Sequence, residues 1–324
     1  MPSNAEAATT ETPLMQWKGV IPAITTPFDA NLRVDHAFMA DHCRWLVDNG
    51  CTGIVALGSL GEGATLAFDE KLAILKNCAN AVGDRVPLAS AISALSTREA
   101  IDLAKAASDA GCQGLMVLPP YVYLGDWREM KAHVNAVIRA TDLSCMLYNN
   151  PIAYGTDFLP DQIAELAAEH RNLDAVKESS TDARRVTAIK ALLGDRLAVL
   201  VGVDDALVEG VGVGATGWIA GLVNAFPRES VDLFNFALND RHQQAAELYH
   251  WFLPLLRMDT VPKFVQLIKL VQEEAGVGNA RVRPPRLELT GEELAGSKRV
   301  IRAALDSRPT HSQSKRMEQA DYAR

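Results

Sequence analysis

The feature that most constrains this chain is an alternation. From Gly19 to about Leu238, short runs of β-branched and aliphatic residues trade places with longer amphipathic segments. The runs are GVIPAITTPF, GIVALG, VPLASAI, GLMVLP, SCMLYNNP, LDAVKESS, LAVLVG and GATGWIAG. Between them lie segments such as DHAFMADHCRWLVDNG, FDEKLAILKNCANAVG, TREAIDLAKAASDAG and DARRVTAIKALLG, with apolar residues three to four apart and, in most, a closing glycine. A short apolar run bounded by turns reads as a buried strand, and the three-to-four spacing as a helix with one buried stripe. Strands separated by helices pair in parallel through right-handed crossovers. Eight such units predict a closed (β/α)8 TIM barrel over residues 17–238, with a doubly wound open sheet as the competing arrangement.

Beyond the eighth unit the pattern is helical only: RHQQAAELYHWFLPLLRM, VPKFVQLIKLVQEEAG and GEELAGSKRVIRAALDS. These predict a C-terminal three-helix extension over residues 239–307, packed on the barrel with no low-complexity linker between. Residues 1–16 and the polar stretch 308–324 are expected to be loose, with Lys315 and Arg316 solvated.

Composition narrows the partner. A formal charge of −8 with a pI near 5.4 leaves no basic stripe to displace counterions from nucleic acid or to sit on an anionic membrane. A small molecule is the expected partner. The five cysteines, Cys43, Cys51, Cys78, Cys112 and Cys145, lie scattered in apolar segments without a C-x-x-C pair, as core residues of a reducing compartment would. The first residues carry no basic cluster followed by an apolar stretch, and no apolar run reaches spanning length, so the expected location is cytoplasmic.

In (β/α)8 barrels the reacting groups stand at the carboxyl ends of strands. Those positions hold Ser59 in GSLGE after the second run, Tyr121 past the fourth, Tyr148 in YNNP, Lys177 in AVKESS and Asp204 after the seventh. Lys177 follows an apolar run without a break, where desolvating an ammonium group is costly. Two readings meet it: a strand-edge lysine whose stem is buried and head is in water, or an amine held neutral to attack a carbonyl. The other positions also have plain readings. Tyr148 and Tyr121 serve equally as core or interface aromatics, Ser59 as a turn residue, and Asp204 and Asp205 as caps of the next helix or as substrate contacts. Glu62 reads as structural, and Glu178 faces away from Lys177 if the strand alternates. The histidines fall on predicted helices or in the tail, away from strand ends, so no metal site and no cofactor is expected. GVGVGATG precedes a strand instead of opening a helix after one, which fails the dinucleotide fingerprint.

Taken together and in order, LGSLGE, LPPYVY, LYNNP, AVKESS and GVDDA resemble the family of dihydrodipicolinate synthase and N-acetylneuraminate lyase, over about Trp17 to Leu305. The resemblance implies that Lys177 forms a Schiff base with a 2-oxo acid. It implies that Tyr148 moves the proton, that Ser59 relays it, and that Tyr121 is lent by a neighbouring subunit. It implies further that Gly58, Ser59, Leu60 and Gly61 grip the substrate carboxylate, and that the assembly is a homotetramer built as a dimer of dimers.

Two departures from the family pattern bear on substrate. Leu60 stands where dihydrodipicolinate synthases carry a second threonine, and Ala153 where they carry an arginine that holds the second substrate's carboxylate. After the seventh and eighth strands, Asp204 and Asp205 are followed by Trp218, Ile219 and Ala220, a poor lining for a long polyol but a suitable wall for a small acid. GWIAGLVNAFPRE, WFLPLLRMDTVPKFVQLIKL and RPPRLELTG look most like the branch acting on 1-pyrroline-4-hydroxy-2-carboxylate. The expected reaction is its deamination and dehydration to 2,5-dioxopentanoate. The rivals are an aldolase or dehydratase of a 2-oxo-3-deoxy sugar acid and a non-catalytic metabolite-binding barrel.

Overall fold

The computed structural model describes residues 13–121 and 123–309. The expectations for His311, Lys315, Arg316 and most of the two end segments lie outside the described residues. In chain order, β1 (Gly19–Pro22) is followed by α1 (His36–Asp48), β2 (Ile54–Ala56) by α2 (Phe68–Val82), and β3 (Leu88–Ile92) by α3 (Thr97–Asp109). Next come β4 (Gly114–Val117), α4 (Trp127–Ile138), β5 (Ser144–Asn149), a single turn α5 (Pro151–Tyr154) and α6 (Pro160–Glu169). The barrel is completed by β6 (Leu173–Glu178), α7 (Arg184–Leu193), β7 (Ala198–Val201), α8 (Leu207–Gly212), β8 (Gly217–Ala220) and α9 (Pro227–Leu238). Three helices follow: α10 (His242–Leu256), α11 (Phe264–Glu274) and α12 (Gly291–Asp306).

The eight strands form one parallel sheet in the order β1-β8-β7-β6-β5-β4-β3-β2. A parallel bridge between Ala23 and Val55, with the Ile24 N–H donating to the Val55 carbonyl at 2.9 Å, joins its two edges. The chain is therefore a (β/α)8 barrel, and the open doubly wound alternative is excluded. β2, β3 and β4 are buried along their whole length, because side chains on one face fill the barrel and those on the other meet the helices. Local chemistry starts the helices where the pattern predicts. Ser96 accepts from the Glu99 N–H ahead of α3, and Asp126 and Glu129 cap α4 reciprocally.

The C-terminal extension is bound into the barrel. Trp251 stacks on Phe252 while the Phe226 ring meets both edge-on. From α11, Gln272 Oε1 accepts from Thr25 Oγ1 at 2.9 Å and Lys269 pairs with Glu62 at 2.6 Å, both at the mouth of the barrel. All five cysteines are free and buried, and burial pushes the thiols of Cys51, Cys112 and Cys145 up to about 12, far from reactive thiolates. No described helix is long and apolar enough to cross a membrane.

Candidate active site

Strand alternation decides what Lys177 and Glu178 face. Glu178 points outward and is fully compensated: Arg185 Nε lies 3.2 Å from its carboxylate, and Asn149 Nδ2 and the Ser180 N–H donate to it at 3.1 and 2.8 Å. Lys177 points inward, 6 % exposed, and among the described residues its amine has no hydrogen bond and no ion pair. Burial lowers its pKa from 10.5 to about 8, although the carboxyls of Asp259 and Asp204 pull the other way. The edge-lysine reading of the sequence is thereby excluded, since the head group is inside the barrel.

Tyr148 is the residue paired with Lys177 across β5 and β6. Its ring centroid lies 4.0 Å from Lys177 Nζ, and its hydroxyl accepts from Asn150 Nδ2 at 3.0 Å. Burial pushes the phenol up to about 12, so it holds its proton until a positive charge forms beside it.

Ser59 sits on the turn after β2. Leu57 and Glu62 both take left-handed backbone there, and a Cβ on Gly63 would fall 2.1 Å from the Leu57 carbonyl. The turn is held from below by Thr26 Oγ1, which donates to the Gly61 carbonyl at 2.6 Å, and by the buried Glu62–Lys269 pair. Gly58, Ser59 and Leu60 face the cavity; Gly61 does not line it and acts through the turn.

A cavity of about 460 Å³ opens at this end of the barrel, with Gly58, Ser59, Leu60, Tyr148, Lys177 and Ile219 in its wall. Tyr121 is not in that wall; its ring is half-buried, 6.0 Å from the ring of Tyr154. Asp204 requires a correction, because as a substrate contact it would have to reach the cavity. It has no exposure and does not line the cavity, and it accepts from Trp218 Nε1 at 2.9 Å and from the Gly221 and Leu222 N–H groups at 3.1 and 2.7 Å. It ties the ends of β7 and β8 together, and burial raises its pKa to about 6 in spite of those donors. Asp205 is held outside the cavity, its carboxylate 3.6 Å from Arg257.

Three residues in the wall were not singled out from the sequence. Tyr154 hydrogen-bonds Ser59 and meets Tyr148 edge-on at 5.8 Å between ring centroids. It is placed by α5, which Asn150 caps, Pro151 opens and the left-handed Gly155 ends. Its signal was present, since YNNPIAYG reads as a capped turn, but nothing local tells which way such a turn aims its last side chain. Asp259 and Arg286 come from the C-terminal segment and line the same cavity. Among the described residues no group of His, Cys, Asp and Glu gathers closely enough to hold a metal ion.

Gly202, at the end of β7, leaves the space Lys177 occupies: a Cβ there would lie 2.6 Å from Lys177 Cε and 2.0 Å from Ser179 Oγ. Gly202→Ala is expected to slow adduct formation with pyruvate about 100-fold, the effect of misplacing a reacting atom by about 1 Å. Borohydride trapping followed by mass spectrometry measures it, and an unchanged trapping rate would show that the amine's position is not critical.

A buried amine beside a phenol and a serine hydroxyl, at the carboxyl end of a (β/α)8 barrel, is the arrangement of the enzymes that bond covalently to a carbonyl, the Schiff-base lyases. Comparison with known proteins gives the family. The model of the dihydrodipicolinate synthetase family matches residues 16–304. A 4-hydroxy-tetrahydrodipicolinate synthase of Natronomonas pharaonis is 35% identical over 240 residues, 74% of this chain and 81% of that one. The crystal structure of a dihydrodipicolinate synthase from Bacillus anthracis superposes with a TM-score of 0.86 at 27% identity, covering 92% of this chain and 100% of that one. That of the chloride-inhibited Acinetobacter baumannii enzyme complexed with pyruvate gives 0.85 at 28% identity, covering 89% and 99%. The chain belongs to the dihydrodipicolinate synthetase family.

Proposed function

We propose that this barrel is a lysine Schiff-base lyase acting on a small 2-oxo or cyclic 2-imino acid, and that its substrate is 1-pyrroline-4-hydroxy-2-carboxylate. The observation that carries the reading is the state of Lys177. It is a buried amine with its pKa lowered to about 8, set 4.0 Å from the ring of a tyrosine in a cavity of small-molecule size. Such an amine is neutral in a useful fraction of molecules near neutral pH and adds to an electrophilic carbon.

Lys177 attacks C2 of the cyclic imine, and the C2–N bond breaks to open the ring. The iminium charge acidifies C3 and lowers the hold of Tyr148 on its proton; Tyr148 gives that proton to the departing ring nitrogen and then, as the phenolate, takes one from C3. Ser59 and Tyr154, hydrogen-bonded to each other, stand beside that phenol in the same cavity wall. The enamine expels the C4 hydroxyl as water; the C3–C4 double bond then tautomerises, C5 and its amine each giving up a proton while C3 and C4 each gain one, so that C5 becomes an imine, and hydrolysis at C2 and C5 returns Lys177, releases ammonia and leaves 2,5-dioxopentanoate. Two waters are consumed and one is formed, so the net reaction takes up one water and yields one ammonia.

The Natronomonas relative's name suggests a second reading, synthesis of 4-hydroxy-tetrahydrodipicolinate. Ala153 and Leu60, both in the cavity wall, weigh against it, since they stand at the positions of the arginine and second threonine in that branch. The resemblance also supports a tetramer in which Tyr121 serves a neighbouring subunit, although Tyr154 of the same chain already meets Ser59.

Purified protein incubated with the cyclic imine is expected to release ammonia and 2,5-dioxopentanoate, and borohydride is expected to trap the substrate on Lys177. Absence of ammonia beside turnover of another 2-oxo acid refutes the substrate. Because only the neutral amine attacks, kcat/KM is expected to climb as pH rises toward about 8 and to level off above it. A flat profile from pH 6 to 9 would contradict the assigned nucleophile.

A further inference from the structure

The C-terminal extension delivers one carboxyl into the cavity. Asp259 ends the helical turn Arg257–Asp259 between α10 and α11, and it lines the cavity together with Lys177 and Tyr148. Among the described residues it makes no ion pair, and its side chain makes no hydrogen bond. That isolation contrasts with Asp204 nearby, whose oxygens are occupied by three donors from the backbone and Trp218. The backbone makes room for Asp259: a Cβ on Gly221 would fall 2.2 Å from its Oδ1, so glycine at the end of β8 lets the carboxyl close over the pocket. The groups whose charge it feels are Lys177 from β6 and Asp204 and Asp205 from the turn after β7, and its own charge is felt by Tyr148 on β5. Withdrawal from water, and then the charge of Asp204, push its carboxyl above the usual carboxylate range, against the pull of Lys177.

A partly buried carboxyl with no partner among the described residues, in the wall of a cavity beside an electron-sink lysine, is free to exchange a proton with a ligand there. We infer that Asp259 is the general acid at the substrate's C4 oxygen, a catalytic residue that protonates the hydroxyl as it leaves. The inference rests on the Schiff-base reading above and specifies its substrate class, a 2-oxo or 2-imino acid hydroxylated at C4. In the step, the enamine electron pair forms the C3–C4 double bond and regenerates the iminium. The C4–O bond breaks with its pair going to oxygen, the Asp259 proton joins that oxygen, and water departs. The Asp259 carboxylate regains its proton from solvent when product leaves. Tyr148 is committed to C3, so a separate acid lets both proton transfers proceed without one group changing places.

The test separates chemistry at C3 from chemistry at C4. Exchange of the pyruvate methyl protons in D2O needs Lys177 and Tyr148 but no leaving group. Turnover of the 4-hydroxylated cyclic imine, or of an open-chain 4-hydroxy-2-oxo acid that loses water, needs the acid as well. Asp259→Asn is expected to keep pyruvate exchange within about threefold of the native rate and to lose about 10² to 10⁴-fold in turnover of the hydroxylated substrate. Asp259→Glu should recover part of the loss, and Gly221→Ala, which displaces the carboxyl without altering it, should share the Asn phenotype. If Asp259→Asn loses exchange and turnover equally, the carboxyl only positions Lys177, and unchanged turnover likewise overturns the inference. If the native enzyme dehydrates the open-chain acid but not the cyclic imine, the proposed substrate fails and the role of Asp259 is decided on that acid. If it exchanges pyruvate protons but dehydrates neither, the inference about Asp259 falls while the Schiff-base chemistry stands.

Discussion

Lys177→Met is expected to abolish turnover and at the same time stabilise the fold. Without the amine no covalent adduct forms, and loss of a nucleophile costs at least about 10⁴-fold. The stability effect follows from the same burial. The folded pKa of Lys177 is lowered from 10.5 to about 8, so between those values the unfolded chain binds more protons than the native one, and stability rises with pH. Below pH 8 the whole cost of holding the group applies, about 3 kcal/mol at about 1.4 kcal/mol per pH unit. Methionine follows the path of the lysine stem without a charge. Its melting temperature should exceed that of the native protein by roughly 5 °C at pH 7, on a midpoint unfolding entropy of about 2 cal/mol/K per residue. The gain should shrink toward zero by pH 10.5. Melts at the two pH values decide the matter: an equal shift at both would mean that the methionine packs better, not that a charge was being held in a dry site.

The second large effect is structural and lies directly beneath the turn that carries Ser59. Lys269 Nζ is 2.6 Å from Glu62 Oε1 and donates to the Arg281 carbonyl at 2.6 Å, while the other Glu62 oxygen accepts from the Arg283 N–H at 2.9 Å. Both side chains of the pair are essentially unexposed. Removing one partner leaves the other charge buried without compensation, which costs about 3 to 5 kcal/mol, whereas replacing both with apolar residues of similar volume costs far less. Lys269→Met is therefore expected to lose about 3 to 5 kcal/mol in urea denaturation, and the Glu62→Leu/Lys269→Met double variant to recover most of it. Because Glu62 takes left-handed backbone in the turn that carries Ser59, the single variant should also weaken binding of the substrate carboxylate and raise KM. A double variant as unstable as the single one would remove the ion pair from the explanation.

The barrel was readable because its signal is local and repeated. LDAVKESS, bounded by turn residues and rich in aliphatic side chains, reads as a strand without reference to any other part of the chain, and so do the other seven runs. The alternation within β6 likewise foretold that Glu178 would face away from Lys177. The placement of Lys177, Tyr148 and Ser59 around one cavity followed from the rule that reacting groups stand at strand ends. Asp204 obeyed the same rule and was misplaced by it. Whether a carboxylate at a strand end meets substrate or is consumed by backbone N–H groups depends on the turn after β8, seventeen residues further along the chain at Gly221.

What the sequence determined by itself was thus the periodicity of the elements, their parallel pairing and the place of Lys177 at the carboxyl end of a strand, all set by patterns a few residues long. The tertiary structure alone decided that Asp259, Arg286 and the Lys269–Glu62 pair converge on the mouth of the barrel, and that Tyr154 turns inward to Ser59. The physical reason is separation. Lys269 and Glu62 stand 207 residues apart, and their meeting is fixed by how α11 folds back over the barrel, a choice governed by the total surface buried and not by any pattern along the chain.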